Sequence, residues 1–163
     1  QLYGVSPEEI DTVILTHLHW DHAGNNMLFP NAKFYVQKRE LDYASNPLEI
    51  QRGAYNYELI SQTRYELIDG TRDILDGISV IPTPGHSPGS QSVIVETEQG
   101  PHIIVGELIC LYACIERSPA IVNGLHTDLF EYYDSIERVI QTGFRILPGH
   151  EPQILDHTVY PYE

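Results

Sequence analysis

The fold of this chain depends on the stretch Thr16-His17-Leu18-His19-Trp20-Asp21-His22-Ala23-Gly24-Asn25. Three imidazoles and one carboxylate occupy six successive positions within it, directly after the apolar run Val13-Ile14-Leu15. A short, continuous apolar run without alternation is typical of a strand buried on both faces, so we expect a buried strand over Thr12 to Thr16. The four donor side chains would then begin where this strand ends.

The spacing of these donors predicts a metal site. Side chains at alternate positions of an extended segment point the same way, so His17 and His19 should converge just beyond the strand. Asp21 and His22 are adjacent and diverge, and the turn at Ala23-Gly24-Asn25 should aim them at a second position nearby. Imidazole nitrogens and carboxylate oxygens are donors that Zn²⁺ and similar divalent ions accept. The ordinary alternative is a chance cluster of surface histidines.

Further donors follow predicted strands later in the chain. His86 lies in the turn Thr83-Pro84-Gly85-His86-Ser87-Pro88-Gly89, and His150 follows Leu147-Pro148-Gly149. Pro and Gly fix the backbone at both places and leave the imidazole accessible, although either segment alone would also suit a tight loop. Together with the first cluster, both histidines become candidate ligands. His102 and His157 lack such a context and are interpreted as structural.

In their order along the chain, these motifs resemble the metallo-β-lactamase superfamily of hydrolases. The pattern H-x-H-x-D-H is followed by Pro84 to Ser90, by Val105-Gly106-Glu107 and by Leu147 to His150. The similarity is greatest to the N-acyl homoserine lactonase branch, which includes quorum-quenching lactonases. It implies one α+β domain over residues 1–163, folded as a four-layer αββα sandwich. Only sixteen residues precede His17, so we expect the first strands of the amino-terminal half to be missing.

The resemblance also implies a dinuclear site that holds two divalent metal ions. Zinc is the expected metal, with manganese, iron and cobalt as alternatives. By this resemblance one ion binds His17, His19 and His86, and the other binds Asp21, His22 and His150. Glu107 would be the bridging carboxylate, and Asp21 and Glu107 the catalytic carboxylates. The implied reaction is attack of hydroxide on the carbonyl of a small lactone or ester.

Two departures from the family pattern leave alternatives open. The family usually has Asp where this chain has Glu107, and the extra methylene lengthens the reach, whereas coordination tolerates only about 0.2 Å. Three explanations are open: the strand end is retracted, Glu107 binds one ion only, or the two-metal site is impaired. We expect the substitution Glu107→Asp to preserve or raise the metal content of the protein. In the acyl homoserine lactonases that this chain resembles, a Tyr that contacts the lactone carbonyl stands at the position of Cys110. The alternatives are a thioesterase resembling glyoxalase II and a metal-binding protein without catalysis.

Three residues are candidate substrate contacts: Cys110, His126 and Trp20. His126 precedes the longest predicted helix, in a segment that lines the pocket of similar proteins, although an exposed histidine at a helix entry is more common. Trp20 and Phe29 would supply apolar walls near the metals, unless they only pack beside a core strand.

Composition excludes some partners. With 23 acidic and 9 basic residues the formal net charge is −14, which argues against nucleic acid or an anionic membrane as partner, because phosphate binding needs clustered Lys and Arg. The two cysteines, Cys110 and Cys114, predict buried free thiols. We expect a small-molecule substrate and a cytoplasmic location, and the sequence leaves open whether two copies form a homodimer.

Local patterns predict the remaining elements. Ser6 should cap a short helix that begins at Pro7, and residues 46–63 fit no single period. The clearest helix covers Thr127 to Thr142, capped by Thr127 or Asp128. The other predicted elements are strands at 33–37, 65–68, 74–75, 78–81, 92–97, 102–105 and 144–147, and a helix at 38–45.

Overall fold

A computed structural model describes residues 4–157 and residue 160 of the chain. The first three strands form a parallel sheet with the order β1-β2-β3. Its strands are β1 (Thr12–Ile14), β2 (Lys33–Gln37) and β3 (Tyr65–Ile68). The first candidate ligands therefore follow the carboxyl end of β1.

The other five strands form a mixed sheet with the order β4-β5-β6-β7-β8. Neighbouring strands are antiparallel except for the parallel pair at the end, β7 and β8. The strands are β4 (Arg72–Leu75), β5 (Ile78–Pro82), β6 (Gln91–Val95), β7 (His102–Ile104) and β8 (Arg145–Leu147). His86 follows β5, and His150 follows β8.

The α-helices lie on the outer faces of the two sheets. They are α1 (Trp20–Ala23), α2 (Lys38–Ala44), α3 (Tyr57–Gln62) and α4 (Leu129–Gln141). Short 3-10 helices cover Pro7–Glu9, Asn26–Leu28, Glu49–Ala54, Gly106–Leu108, Tyr112–Cys114 and Pro152–Asp156. Within the part of the chain that the structure describes, no helix is long and apolar enough to cross a bilayer.

Three apolar clusters show how these elements are layered. Phe34 and Val36 of β2 pack with residues of α2 and α3, whereas Tyr35 of the same strand faces a cluster built from strands of both sheets. The third cluster joins Ile103 of β7 to residues of α4. Alternate residues of a strand point to opposite faces, so the order is helix, sheet, sheet, helix. The predicted αββα sandwich is confirmed.

Most predicted elements are present, with shifted ends. The strand at Lys33–Gln37 is as predicted, α2 ends one residue early, and β6 and β7 form the predicted antiparallel pair. Ser6 and Glu9 form a capping box at the first short helix. Asp128, rather than Thr127, caps α4 by accepting a hydrogen bond from the backbone N–H of Glu131 at 2.9 Å.

The prediction of a buried strand over Thr12 to Thr16 was wrong in extent and burial. β1 ends at Ile14, and all three of its residues are half-buried. Among the described residues, β1 pairs with β2 and is at one end of the strand order of its sheet. The unassigned segment 46–63 contains a 3-10 helix and α3, two short helices that no single period describes.

Candidate metal centre

The loop after β1 and the turn after β5 bring three buried histidines together. His17, His19 and His86 are each at most 2% exposed. Their ring centroids lie 4.5 to 4.8 Å apart in pairs. Alternation along an extended segment, which predicted that His17 and His19 converge, agrees with this placement.

A second group lies beside the first and is more accessible. Asp21 and His150 are exposed, and His22 is half-buried. The ring of His22 is 4.1 Å from that of His17 and 5.7 Å from that of His150. Asp21 and His22 belong to the single helical turn α1, so they are directed by a helix beginning at Trp20 rather than by the turn expected at residues 23–25.

Glu107 lies between the two groups and contacts both. Its Oε2 is 2.5 Å from Nε2 of His86, and its Oε1 is 2.8 Å from Nε2 of His150. Glu107 therefore belongs to two ligand sets in which all ligand atoms lie within 4.8 Å of one another. The sets are His17, His19, His86 and Glu107, and Asp21, His22, Glu107 and His150.

Burial and the neighbouring rings lower the pKa of two of the buried imidazoles, those of His17 and His19. Burial, followed by the nearby ring of His86, lowers the pKa of His19 to about 4. Burial and the rings of His22 and His86 hold the pKa of His17 well below its ordinary value. For Glu107, burial alone would raise the pKa, but contacts with His22 and His86 outweigh it and lower the pKa. The lowered pKa values favour neutral rings for His17 and His19 and an ionised carboxylate for Glu107, which are the forms that bind metals.

The residues fit a pair of divalent metal ions. Nε2 of His17, His19 and His22 are buried and have no hydrogen-bond partner. A buried polar atom left without a partner is costly, so three such atoms at one place indicate a missing ligand. Five imidazoles and two carboxylates form a donor set suited to divalent metals such as zinc. Contacts between protein atoms leave three nitrogens of this donor set without a hydrogen-bond partner.

The turn that carries His86 is fixed from several sides. Nδ1 of His86 lies 2.7 Å from the carbonyl oxygen of Leu125, so the other ring nitrogen faces Glu107. Gly85 has φ of +134°, and a Cβ there would overlap the backbone of Tyr132 in α4. The buried amide of Gln51 donates to the carbonyl of His86 at 3.2 Å. A helix and an insert therefore determine where this imidazole points.

Asn123 and Gln51 are two contacts that the sequence interpretation missed. Nδ2 of Asn123 donates to Oε2 of Glu107 at 3.3 Å, and its Oδ1 accepts from the backbone N–H of Leu125 at 2.9 Å. Asn123 therefore links the carboxylate of Glu107 to the segment that orients His86. Asn123 lies in an irregular segment and Gln51 in the short 3-10 helix Glu49–Ala54, and neither segment has a periodicity that marks an inward-facing side chain.

The three candidate substrate contacts lie around the site but outside both ligand sets. Cys110 is a half-buried free thiol whose sulfur is 3.5 Å from Nδ2 of Asn123. Burial, followed by the charge of Glu107, raises its pKa to about 11, so it stays a neutral thiol. Nδ1 of His126 is 2.9 Å from the carbonyl oxygen of Asn123, and its ring centroid lies 6.2 Å from that of Tyr132.

Trp20 is 60% exposed. Phe29 packs against the first apolar cluster, which agrees with a packing role. Cys110 and Cys114 are both free, as predicted, but half-buried rather than buried. Among the residues that the structure describes, His102 and His157 lie outside both ligand sets.

Two cavities adjoin the second group on different sides. One, of about 540 Å³, lies beside His22 and His150, with apolar walls that include Ile104, Leu147 and Leu155. The other, of about 600 Å³, lies beside Asp21 and is lined by Trp20, Tyr55, Asn56 and Tyr57 among others. A small substrate that reached the accessible group would therefore find apolar surface on one side and a polar, aromatic surface on the other.

Fold and site together define a layered α+β protein in which strand ends present two adjoining ligand sets for divalent metals. The sequence profile of the metallo-beta-lactamase superfamily matches residues 1–152. The chain belongs to this superfamily.

Relatives with stated activities are similar to this chain. An N-acyl homoserine lactonase of Bacillus thuringiensis is 36% identical over 103 residues, which are 63% of this chain and 39% of the relative. The N-acyl homoserine lactonase AttM of Azorhizobium caulinodans is 28% identical over an alignment of 162 positions, which covers 91% of this chain and 61% of the relative.

A crystal structure supports the same comparison. An N-acyl homoserine lactone hydrolase with the product N-hexanoyl-L-homoserine bound at its catalytic metal center matches with a TM-score of 0.80 and 29% identity. The match covers 99% of this chain and 64% of that one. This chain thus spans less than two thirds of the length of each of these three proteins.

Proposed function

We propose that the protein is a metal-dependent hydrolase that opens N-acyl homoserine lactones. The observation that carries this proposal is the single carboxylate of Glu107 shared by two histidine-containing ligand sets. The similarity to lactonases, one of them with product at its metal center, supports the choice of substrate. The reaction adds water across the lactone C–O bond and yields the N-acyl homoserine.

The ligand sets divide the residues between two ions. His17, His19 and His86 would hold one ion, Asp21, His22 and His150 the other, and Glu107 both; we propose zinc for each. Bound divalent ions lower the pKa of a coordinated water and polarise a carbonyl oxygen. The neutral state of His17 and His19 leaves one nitrogen of each ring unprotonated near neutral pH, and that nitrogen can bind a metal.

The remaining residues orient the substrate and handle its proton. The carboxylate of Asp21 is exposed and lines the polar cavity, so it is placed to carry a proton to the hydroxyl oxygen released when the lactone opens. The apolar walls beside His22 and His150 suit an acyl chain. The raised pKa of the Cys110 thiol disfavours its thiolate form, so the proposed nucleophile is water.

The test is a comparison of substrates on metal-loaded protein. The protein reconstituted with zinc or cobalt should hydrolyse a series of N-acyl homoserine lactones, and His17→Ala should abolish this activity. The control substrates are a glutathione thioester and a generic ester. Turnover of the thioester with inactivity toward lactones would favour the glyoxalase II-like alternative. Rates for every substrate no higher than those of His17→Ala would show that the protein binds metal without catalysis.

A further inference from the structure

A buried carboxylate outside both ligand sets lies behind the three buried histidines. Glu40 lies in the first turn of α2 and is fully buried. Burying a carboxylate is costly unless hydrogen bonds replace its water. Glu40 is not close enough to the ligand atoms to belong to either set, so its burial needs another explanation.

Four uncharged donors satisfy this carboxylate, two on each oxygen. Oε1 accepts from the backbone N–H of Leu18 at 3.0 Å and from the hydroxyl of Tyr55 at 3.0 Å. Oε2 accepts from the hydroxyl of Ser87 at 2.5 Å and from the backbone N–H of Gly89 at 3.2 Å. Hydrogen bonds to an ionised acceptor are shorter and stronger than neutral ones.

The donors come from the two segments that carry the buried histidines. Leu18 lies between His17 and His19, and Ser87 follows His86. One oxygen of Glu40 therefore holds the loop after β1, and the other holds the turn after β5.

Two further contacts make this arrangement tight. The ring of Tyr55 packs edge-on against the ring of His19, with centroids 4.6 Å apart. A Cβ at Gly89 would overlap the backbone of Glu40, so the turn approaches α2 as closely as glycine permits. Contacts through α2 therefore help to set the distance between the two loops, beside the direct hydrogen bond from the backbone N–H of Gln91 to the carbonyl of Thr16 at 2.9 Å.

We propose that Glu40 is a positioning residue that holds the two histidine-bearing loops together and thereby sets the metal affinity of the set His17, His19 and His86. This inference rests on the proposed function, which assigns a metal ion to that set. Residues that orient metal ligands typically contribute about 10-fold to 100-fold to metal affinity. A residue that only stabilised the fold would leave the affinity of the folded protein unchanged.

The decisive variant is Glu40→Gln, which preserves shape. Each oxygen of Glu40 faces one backbone N–H, from Leu18 or from Gly89. Whichever way the amide is turned, its NH₂ group must face one of these N–H groups, and a backbone N–H cannot reverse to accept. One loop therefore loses its anchor. Arg39→Gln is the matched control, because Arg39 is the preceding residue of α2 and pairs with exposed Glu131 of α4.

The measurements are zinc affinity and stoichiometry, by competition with a chromophoric chelator, and the visible spectrum of the cobalt-substituted protein. We expect Glu40→Gln to weaken one of two zinc positions by about 10-fold to 100-fold and to change the cobalt spectrum, with Arg39→Gln unchanged in both. Wild-type affinity and spectrum in folded Glu40→Gln would overturn the inference while leaving the proposed function intact. Failure of the wild-type protein to bind zinc would overturn the proposed function itself.

Two more variants test the inference in case Glu40→Gln does not fold. Ser87→Ala removes one of the four donors and leaves both backbone anchors, so we expect a smaller loss of zinc affinity in the same direction. Ile68→Ala removes buried apolar contacts between the sheets, away from both loops. It should lower the free energy of unfolding without changing zinc affinity. Equal zinc affinity in Ser87→Ala and wild-type protein would contradict the proposal.

Discussion

Shortening Glu107 by one methylene tests whether the site is built around the longer side chain. Family resemblance suggests that Glu107→Asp preserves or raises metal content, but the geometry supports the opposite expectation. Both carboxylate oxygens are already engaged, at 2.5 Å from His86 and at 2.8 Å from His150. The strand end is therefore set back far enough for a glutamate to reach both ligand sets.

The expected loss follows from distance and from a fixed backbone. Losing one carbon–carbon bond of about 1.5 Å pulls the carboxylate back by more than coordination tolerates, which is about 0.2 Å. The backbone cannot move forward to compensate, because the hydroxyl of Tyr132 donates to the carbonyl of Glu107 at 2.5 Å. The N–H of Gly149 also donates to the neighbouring carbonyl of Gly106 at 3.1 Å. Glu107→Asp should lose contact with at least one set.

Isothermal titration of metal-free protein with zinc measures the effect. We expect Glu107→Asp to bind one zinc at least about tenfold more weakly, which corresponds to about 1.4 kcal/mol. Glu107→Gln keeps the length and loses the charge, so comparison of the two variants separates reach from charge. Two zinc ions bound by Glu107→Asp with wild-type affinity would refute the reasoning and show that the backbone adjusts.

Three further predictions concern the surroundings of the site. Metal-free protein should lose stability on acidification, because the folded state keeps the pKa of His19 at about 4 against an ordinary 6.5. The unfolded chain then takes up a proton between those pH values while the folded state does not, so urea unfolding should show the loss begin below about pH 6.5. His19 alone contributes about 3 kcal/mol near pH 4, and His17, whose pKa is also lowered, adds to this loss. An unchanged free energy over that range would contradict the pKa. Gly85→Ala should lower the free energy of unfolding by at least about 2 kcal/mol, through strain at positive φ and overlap with α4, whereas Gly53→Ala, which meets open space, should not. Trp20→Ala should change the midpoint of urea unfolding little, because the side chain is 60% exposed, and it should change KM for long-chain and short-chain lactones alike, because Trp20 lines the cavity beside Asp21 and not the apolar one; a larger rise in KM for long-chain lactones would place the acyl chain in the cavity beside Asp21.

Local sequence patterns predicted many element positions but not their burial. β2 was predicted to the residue, and α4 to within two residues at each end, because alternation, helical spacing and capping act between near neighbours in sequence. The extent and the burial of β1 were misjudged, since the apolar run Val13-Ile14-Leu15 shows neither where strand pairing stops nor what covers each face. Its half-exposure depends on which strands pair beside it.

The sequence alone determined the chemical types of the ligands and the strand ends at which they lie. His17 and His19 converge through local geometry, and both could be assigned from their spacing. Only the tertiary structure decided that Glu107 reaches two ligand sets and that Glu40 ties two loops together, because these distances depend on how α2 and the two sheets pack. The physical reason is that the sequence gives the type of each side chain directly, whereas its contact partners are brought close only when segments far apart in sequence pack together.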